Sequence, residues 1–257
     1  VVSLARQGVV VAATDYEGLG TPGIHPYLVG SSEGRSILDA IRGAQNLSEA
    51  GAGAGAHAVV FGISQGGHAT LWAAELAQSY APDVQLVGAV AASPPMDLQA
   101  VQHAVLVGPQ PSEVSWLEAL LVTRAWRDVY GVSTTGLLTA EGQAIADVLD
   151  EICPWELDSP TENPFLDLDI PAWQELLLAN SPGHAASTAP IHVVAALSDE
   201  QVPASTIDLG VDRLRAAGSR VDVRWVAGTH VSTLLDPDSA KASMAWIRDR
   251  FMGVPLA

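Results

Sequence analysis

The sequence predicts an α/β protein with a mostly parallel sheet, helices on both faces of the sheet and a helical insertion. Short apolar segments alternate with longer segments of helical character, which is the pattern of parallel strands joined by right-handed crossovers. This alternation stops after residue 96 and resumes near residue 185, with helix-like segments between. With 257 residues, 48% of them hydrophobic, the chain can bury the large core that this fold needs.

The core elements are predicted from their lengths, periodicity and flanking residues. Residues 1–7 look like the end of a helix stopped by Gly8. Continuous apolar runs predict buried strands at Val9–Thr14, His57–Phe61, Val84–Ala92, Pro190–Leu197 and Arg220–Val226. Glycine and proline predict a loop over Asp15–Pro26. The predicted helices are Ser32–Leu47, Gln65–Tyr80, Ala204–Ala217 and Pro237–Phe251.

Residues 97–184 are predicted to form a helical cap inserted into a core made of residues 1–96 and 185–257. Helix-like segments lie near Glu113–Tyr130, Thr139–Ile152 and Pro171–Asn180. Four of the seven tryptophans belong to this block: Trp116, Trp126, Trp155 and Trp173. An apolar insertion after the third visible strand is expected to cover the carboxyl edge of the sheet, where open parallel sheets bind ligands.

Composition narrows the classes of partner. The formal charge of −17 makes nucleic acid and anionic lipid poor candidates, whereas neutral esters and lipids remain accessible. No apolar run reaches the roughly 20 residues of a membrane span. Cys153 is the only cysteine, so no internal disulfide can form. The sequence contains no metal-binding motif and no dinucleotide fingerprint, and we therefore expect neither a metal nor another cofactor.

The segment Gly62-Ile63-Ser64-Gln65-Gly66 carries the strongest chemical signal. A G-x-S-x-G motif between a buried strand and a helix predicts a nucleophile elbow, with Ser64 exposed on a tight turn. The turn requires small residues two before and two after the serine. At a helix N-terminus, Ser64 would also lie in a region of partial positive charge that stabilises anions. Ser64 is therefore the predicted nucleophile.

A serine nucleophile needs a base, and the base needs an orienting acid. Asp199 and His230 follow the two late strands, in the chain order Ser, Asp, His that this kind of site shows. They are the predicted acid and base. Asp97 after the third strand and Glu200 beside Asp199 are alternative acids. The other histidines are interpreted as structural: His192 as a core residue, and His68 as a residue that could line the site.

Acyl transfer also requires two donors aimed at the developing oxyanion. The backbone N–H of Gln65, which follows the nucleophile, is the first candidate. The second must come from the loop after an earlier strand, and Asp15-Tyr16-Glu17-Gly18 is the only such loop in this sequence. From the residues alone, this loop is equally well explained as an ordinary turn.

Together these segments resemble the secretory lipase family of the α/β-hydrolase superfamily. The resemblance rests on Ala13–Gly20, Gly30–Gly34, Gly62–Ala69, Glu75–Pro82 and Ser198–Pro203, with the loop at His230. It covers nearly the whole chain and is weakest across the cap. It implies a triad of Ser64, Asp199 and His230, with an oxyanion hole formed by the backbone N–H groups of Asp15 and Gln65.

The resemblance further implies a secreted serine carboxylesterase or triacylglycerol lipase, with a lid-like cap that shapes an acyl tunnel and an ester or lipid as substrate. A peptidase or amidase of the same fold is the alternative enzyme, and a non-catalytic binding protein is the alternative from another class. The family has further strands before the position of Val1. We therefore expect an uncovered sheet edge at Val9–Thr14, through which copies could associate. The family's C-terminal cysteine is absent here, which leaves Cys153 without that partner.

Overall fold

A computed structural model of the chain describes residues 2–107, 113–149, 156, 160 and 162–256. Within these residues, four strands form one parallel sheet in the order β1-β2-β3-β4. The strands are β1 (His57–Ile63), β2 (Gln85–Ala92), β3 (Ile191–Ala196) and β4 (Val221–Val226). The predicted α/β class is confirmed, and each of these strands lies where an apolar run predicted one.

The sheet is covered on both faces, because alternate residues of its central strands belong to different clusters. Ala89 and Val193 pack in a cluster with side chains of the helices α2 (Gly30–Asn46), α3 (Gln65–Tyr80) and α8 (Ala204–Ala216). Val90 and Val194 belong to a second cluster, which includes Ile247 of α10 (Pro237–Phe251). All six residues of β3 are buried, as expected for a continuously apolar strand.

Three shorter elements complete the core. The helix α1 (Val2–Ala5) ends before Gly8, whose φ of +80° explains why a glycine follows a helix here. A 3-10 turn occupies Ser48–Ala50, and α9 (Ser232–Leu235) follows the loop after β4.

Between β2 and β3, the segment predicted as a cap contains four described helices rather than the three predicted, and we keep the name cap for residues 97–184. They are α4 (Leu98–Leu106), α5 (Glu113–Tyr130), α6 (Ala140–Val148) and α7 (Pro171–Asn180). The helix α4 was missed, although Asp97 is a recognisable N-cap that accepts a hydrogen bond from the Ala100 amide at 2.9 Å. The predicted extension of α6 to Ile152, together with Cys153 and Trp155, lies outside the described residues.

The cap has an apolar core of its own. Leu120 and Trp126 of α5 are fully buried, and Trp173 of α7 stacks on Trp126 with ring centroids 6.3 Å apart. Leu28 and Val29, which precede α2, belong to the same cluster and attach the cap to the core. None of the described helices has the length and apolar character that a membrane span requires.

The prediction of a strand at Val9–Thr14 is wrong, because the structure has no strand there. A groove separates this segment from β1, with Val9 and Val11 on one side and Val59 and Phe61 on the other. An apolar run becomes a strand only where it can pair with the edge of a neighbour. The uncovered sheet edge therefore belongs to β1, and not to Val9–Thr14 as expected.

Candidate active site

Ser64 occupies the turn between β1 and α3, at the carboxyl edge of the sheet. Its φ of +54° and ψ of −121° are unusual for a residue other than glycine. The turn is held by the Ser64 amide, which donates to the Ala92 carbonyl at 2.9 Å, and by the His68 amide, which donates to the Ser64 carbonyl at 3.0 Å. The G-x-S-x-G segment thus forms the strained strand-turn-helix geometry that exposes a serine for attack.

Asp199 and His230 come together from the loops that follow β3 and β4. His230 Nδ1 lies 2.9 Å from both carboxylate oxygens of Asp199, and both residues are buried. Asp199 Oδ1 also accepts hydrogen bonds from the amides of Gln201 at 3.0 Å and Val202 at 2.8 Å. The carboxylate is therefore held by its own loop while it orients the imidazole.

The electrostatics of this pair favour an ionised acid. Burial by itself would raise the pKa of the Asp199 carboxyl. Hydrogen bonds from the His230 ring and the Val202 amide, together with the charge of His230, outweigh that effect and hold the pKa of Asp199 below its usual range. In the neutral form of the ring, an Nδ1–H that donates to Asp199 leaves Nε2 with a free lone pair, as a general base requires.

His230 Nε2 is buried and makes no hydrogen bond within the described part of the chain. The bond from Ser64 Oγ to this nitrogen is therefore not formed in this structure. The structure brings Asp199 and His230 together and places Ser64 at the same edge of the sheet as this pair.

An apolar pocket opens at Ser64 between the sheet and the cap. It encloses about 820 Å³, including the space at its mouth. The described residues that line it come from loops of the core, from the start of α3, from the cap helices α4, α5 and α7, and from non-helical segments of the cap. The described lining residues are Tyr27, Leu28, Ser64, Gln65, Pro95, Leu98, Val101, Gln102, Val105, Leu106, Ser115, Glu118, Ala119, Val122, Thr123, Leu137, Phe165, Trp173, Leu177, Gln201 and Val202.

Glu118 of α5 is the one charged side chain among these described lining residues. Burial raises the pKa of its carboxyl, the charge of His230 opposes the rise, and the charge of Asp199 adds to it. The Glu118 carboxyl therefore lies close enough to the His230–Asp199 pair to interact with the charges of both residues. Sequence reasoning missed Glu118, because a glutamate on an amphipathic helix has no signal that separates it from a solvated one.

The loop that contains Asp15 lies beside the elbow. Asp15 itself is exposed, and the next residue, Tyr16, has a φ of +63°. The Tyr16 hydroxyl lies 3.9 Å from the position that a Cβ on Gly66 would take. Burial and the negative charge of Glu33 raise the pKa of Tyr16. The loop of Asp15, which is predicted to supply the second oxyanion donor, therefore lies next to the turn that contains Gln65, the predicted first donor.

Comparison with known proteins agrees with this architecture. Residues 1–109 match the model of the secretory lipase family, described as "Secretory lipase". A probable inactive lipase of Mycobacterium tuberculosis is 31% identical over 270 residues, and a trichothecene C-3 esterase of Fusarium sporotrichioides is 29% identical over 269 residues. These alignments cover 97% and 95% of this chain but 57% of each relative. The chain therefore spans little more than half the length of these relatives.

Among solved structures, Candida antarctica lipase A superposes with a TM-score of 0.73 at 22% identity, over 90% of this chain and 57% of that one. The resemblance to the secretory lipase family is confirmed. The fold is that of the α/β-hydrolases.

In this relative of the secretory lipases, neither alternative acid contacts the His230 ring. Asp97 caps α4 and forms an ion pair with Arg213. Glu200 accepts a hydrogen bond from the backbone amide of His230 at 3.1 Å, so it stabilises the loop of the base. Asp199 is the carboxylate that the geometry pairs with the imidazole.

The remaining histidines have structural surroundings. His192 is buried in β3, pairs through Nδ1 with Asp222 at 2.5 Å and stacks on Trp246. His184 lies against Trp72 at the exit of the cap. His68 is fully buried behind the elbow and is not among the described residues that line the pocket, so the suggestion that it could line the site is wrong.

Two further residues near the site escaped sequence reasoning. Ser93, buried at the end of β2, donates a hydrogen bond to the His230 carbonyl at 3.0 Å. Glu33 of α2 is 1% exposed and contacts the Gln65 side chain. Ser93 has no sequence signal beyond its place after a strand, whereas Glu33 lies in the Gly30–Gly34 segment of the family resemblance. Among the described residues, no group of three or more potential ligands could hold a metal ion.

Proposed function

We propose that this chain carries the active site of a serine carboxylic-ester hydrolase, a lipase or carboxylesterase. The observation that supports it best is the buried Asp199–His230 pair, which lies at the same sheet edge as Ser64 on its strained turn, beneath an apolar pocket. A hydroxyl, an unprotonated imidazole nitrogen and an orienting carboxylate in one place are the components that nucleophilic acyl transfer requires.

In the proposed mechanism, His230 Nε2 takes the proton of Ser64 as the hydroxyl oxygen attacks the ester carbonyl carbon. Asp199 keeps Nδ1–H oriented and stabilises the imidazolium that forms. The tetrahedral intermediate collapses to an acyl-enzyme, and His230 gives its proton to the departing alcohol. Water then enters by the same route, and the acid is released.

The oxyanion of both tetrahedral intermediates is proposed to accept from the backbone N–H groups of Gln65 and Asp15. Gln65 begins α3, so its amide is one of the N–H groups that a helix N-terminus leaves without an intrahelical partner. Removing one such donor typically raises the barrier by about 3–4 kcal/mol.

The proposed substrates are neutral esters whose acyl part enters the pocket between the sheet and the cap. The described lining is mainly apolar, which suits short- to medium-chain or long-chain acyl groups, and its polar side chains are those of Ser64, Gln65, Gln102, Ser115, Glu118, Thr123 and Gln201. We propose that residues 97–184 act as the lid-like domain over a core formed by residues 1–96 and 185–257. We also propose a secreted protein, since a trichothecene esterase and several secreted lipases are among its relatives.

One observation favours a non-catalytic role as second candidate. His230 Nε2 makes no hydrogen bond in the described structure, and one relative is named a probable inactive lipase. A protein that keeps the pocket but never forms the serine–histidine bond would bind apolar ligands without turnover. Among the described lining residues, Glu118 is the one charged side chain, and the otherwise mainly apolar lining favours an esterase over a peptidase or amidase.

The test compares wild-type protein with Ser64→Ala on p-nitrophenyl esters of increasing acyl length. We expect turnover by the wild type, loss of turnover in Ser64→Ala, and a preference along the series that separates esterase from lipase. Binding of the esters without turnover by folded wild-type protein would favour the second candidate.

Self-association through the uncovered edge of β1 is a further proposal. Phe61 on this strand is 40% exposed, and an unpaired parallel edge offers N–H and C=O groups to a second chain. Sedimentation across a range of protein concentrations, with Phe61→Lys as the matched variant, would measure whether this edge forms dimers.

A further inference from the structure

A group of buried polar side chains lies behind the elbow, and Glu33 is at its centre. Glu33 Oε1 accepts from the Leu28 amide at 2.9 Å and from Gln65 Nε2 at 2.8 Å, while Oε2 lies 2.8 Å from His68 Nδ1. A carboxylate that is 1% exposed is stable only when donors surround it, and three donors do so here.

His68 is held through both of its ring nitrogens. His68 Nδ1 faces the Glu33 carboxylate, and Nε2 faces the Asn180 carbonyl at 2.8 Å. The pair has no access to solvent, so these two contacts fix the ring of His68 and the Glu33 carboxylate relative to each other.

Gln65 connects this buried pair to the loop that contains Asp15. Its Nε2 donates to Glu33 and also lies 2.8 Å from His25 Nε2. Because Gln65 donates to that nitrogen, the proton of His25 is on Nδ1, which donates to the Glu17 carbonyl at 3.0 Å. We call Glu33, His68, Gln65 and His25 the Glu33 network.

The position of the loop depends on such contacts because the structure has no strand at Val9–Thr14. The His25–Gln65 bond joins the loop before α2 to the elbow, and Gln65 also donates to the Glu33 carboxylate. The Leu28 amide donates to the same carboxylate, so the loop is connected to Glu33 at two points. The two backbone amides proposed as the oxyanion hole belong to this loop and to Gln65. A shift of about 1 Å between them can lower a rate roughly 100-fold.

We infer that the Glu33 network positions the two halves of the oxyanion hole, with the Gln65 side chain as the link between them. This inference rests on the proposed ester hydrolysis, and it assigns to Gln65 a role beyond its backbone amide. Glu33, His68 and His25 are positioning residues that act through Gln65 and the loop, without touching the substrate.

The decisive variant is Gln65→Met, which keeps the backbone N–H and the side-chain length but removes both side-chain hydrogen bonds. His25→Phe breaks the same link from the half-buried loop side, where no core packing is lost. Tyr130→Phe is the matched control, since the half-exposed Tyr130 donates to the buried Asn180, whose carbonyl contacts His68, and its loss leaves the link untouched. Each protein is first titrated with a fluorophosphonate, so that rates refer to active sites.

We expect kcat of Gln65→Met and His25→Phe to fall by about 10- to 100-fold with KM within about twofold of wild type. A trifluoromethyl ketone, whose serine adduct places an oxyanion in the hole, should lose affinity by the same factor. Tyr130→Phe should retain kcat. A purely structural role would instead lower the unfolding midpoint and the titrated fraction, with kcat per site unchanged.

Two results would overturn the inference, and they are distinguishable. If wild-type protein hydrolyses esters and both link variants keep kcat within twofold, the positioning role is wrong although the ester hydrolase stands. If folded wild-type protein and Tyr130→Phe show no turnover and no labelling by the fluorophosphonate, the proposed function fails and the positioning role fails with it.

Discussion

The two glycines of the elbow should respond very differently to the same added methyl group. A Cβ on Gly62 would lie 2.2 Å from the carbonyl oxygen of Gly66 and 2.3 Å from its carbonyl carbon. Ordinary contact begins near 3.4 Å, and the atoms it meets are backbone. The turn would therefore have to open by roughly 1 Å, which moves Ser64.

The expected effect of Gly62→Ala follows from that displacement. Overpacking of this kind typically destabilises by about 1–3 kcal/mol, and displacing a nucleophile by about 1 Å typically lowers the rate roughly 100-fold. We expect kcat/KM for a p-nitrophenyl ester to fall at least about 100-fold. The free energy of unfolding, measured by urea denaturation, should fall by about 3 kcal/mol.

Gly66→Ala is the matched variant in the same turn. A Cβ at Gly66 would meet only the Tyr16 hydroxyl, 3.9 Å away, and Gly66 does not have a positive φ. Because Gly66 lies in the first turn of α3, alanine should stabilise the protein by about 0.4–1 kcal/mol and leave kcat/KM within about threefold. Equal losses in the two variants, or full activity in Gly62→Ala, would refute this reasoning.

Three further predictions use the same assays. Asp199→Asn should lower kcat by about 10⁴-fold, because an amide nitrogen facing His230 Nδ1 favours the tautomer that cannot accept the serine proton; a loss under tenfold would contradict this. Burial raises the pKa of Glu118, so its neutral form is favoured in the folded protein and stability is lost as pH rises from about 4.3 through the raised value. As pH increases, the Tm of Glu118→Gln should therefore rise relative to the Tm of the wild type. A Tm difference that does not change with pH would show that the carboxyl is solvated. Thr139→Ala removes the N-cap of α6, where Thr139 Oγ1 accepts from the Gly142 amide at 3.0 Å, and should lower the free energy of unfolding by about 1 kcal/mol in urea; an unchanged midpoint would count against the cap.

Local sequence signals were sufficient for most of the core elements, although not for Val9–Thr14, which forms no strand. The helices α3 and α10 and the cap helices α5 and α7 begin and end at the predicted residues, and the ends of the four strands lie within two residues of the prediction. Buried parallel strands are short apolar runs between breaking residues, and this pattern needs no knowledge of the neighbours. The helix α4 was not predicted from local signals. Because Asp97 follows a strand, it was interpreted as a possible acid rather than as the N-cap of a helix.

The tertiary structure decided which side chains meet. Sequence order made Asp97, Asp199 and Glu200 all possible acids, and only the fold placed Asp199 against the His230 ring, Asp97 against Arg213 and Glu200 against a backbone amide. Likewise, the elbow motif requires small residues at both Gly62 and Gly66, while the structure shows crowding at Gly62 alone.

The sequence by itself determined the fold class, the elbow at Ser64 and the loops that contain Asp199 and His230, because each depends on residues close together in the chain. Only the tertiary structure decided three other features: that Val9–Thr14 does not pair with β1, that Glu118 lines the pocket, and that Glu33 contacts Gln65. Strand pairing and buried ion pairs join segments that are distant in sequence. Their stability depends on the exact separation of a few polar atoms, for which no local pattern exists.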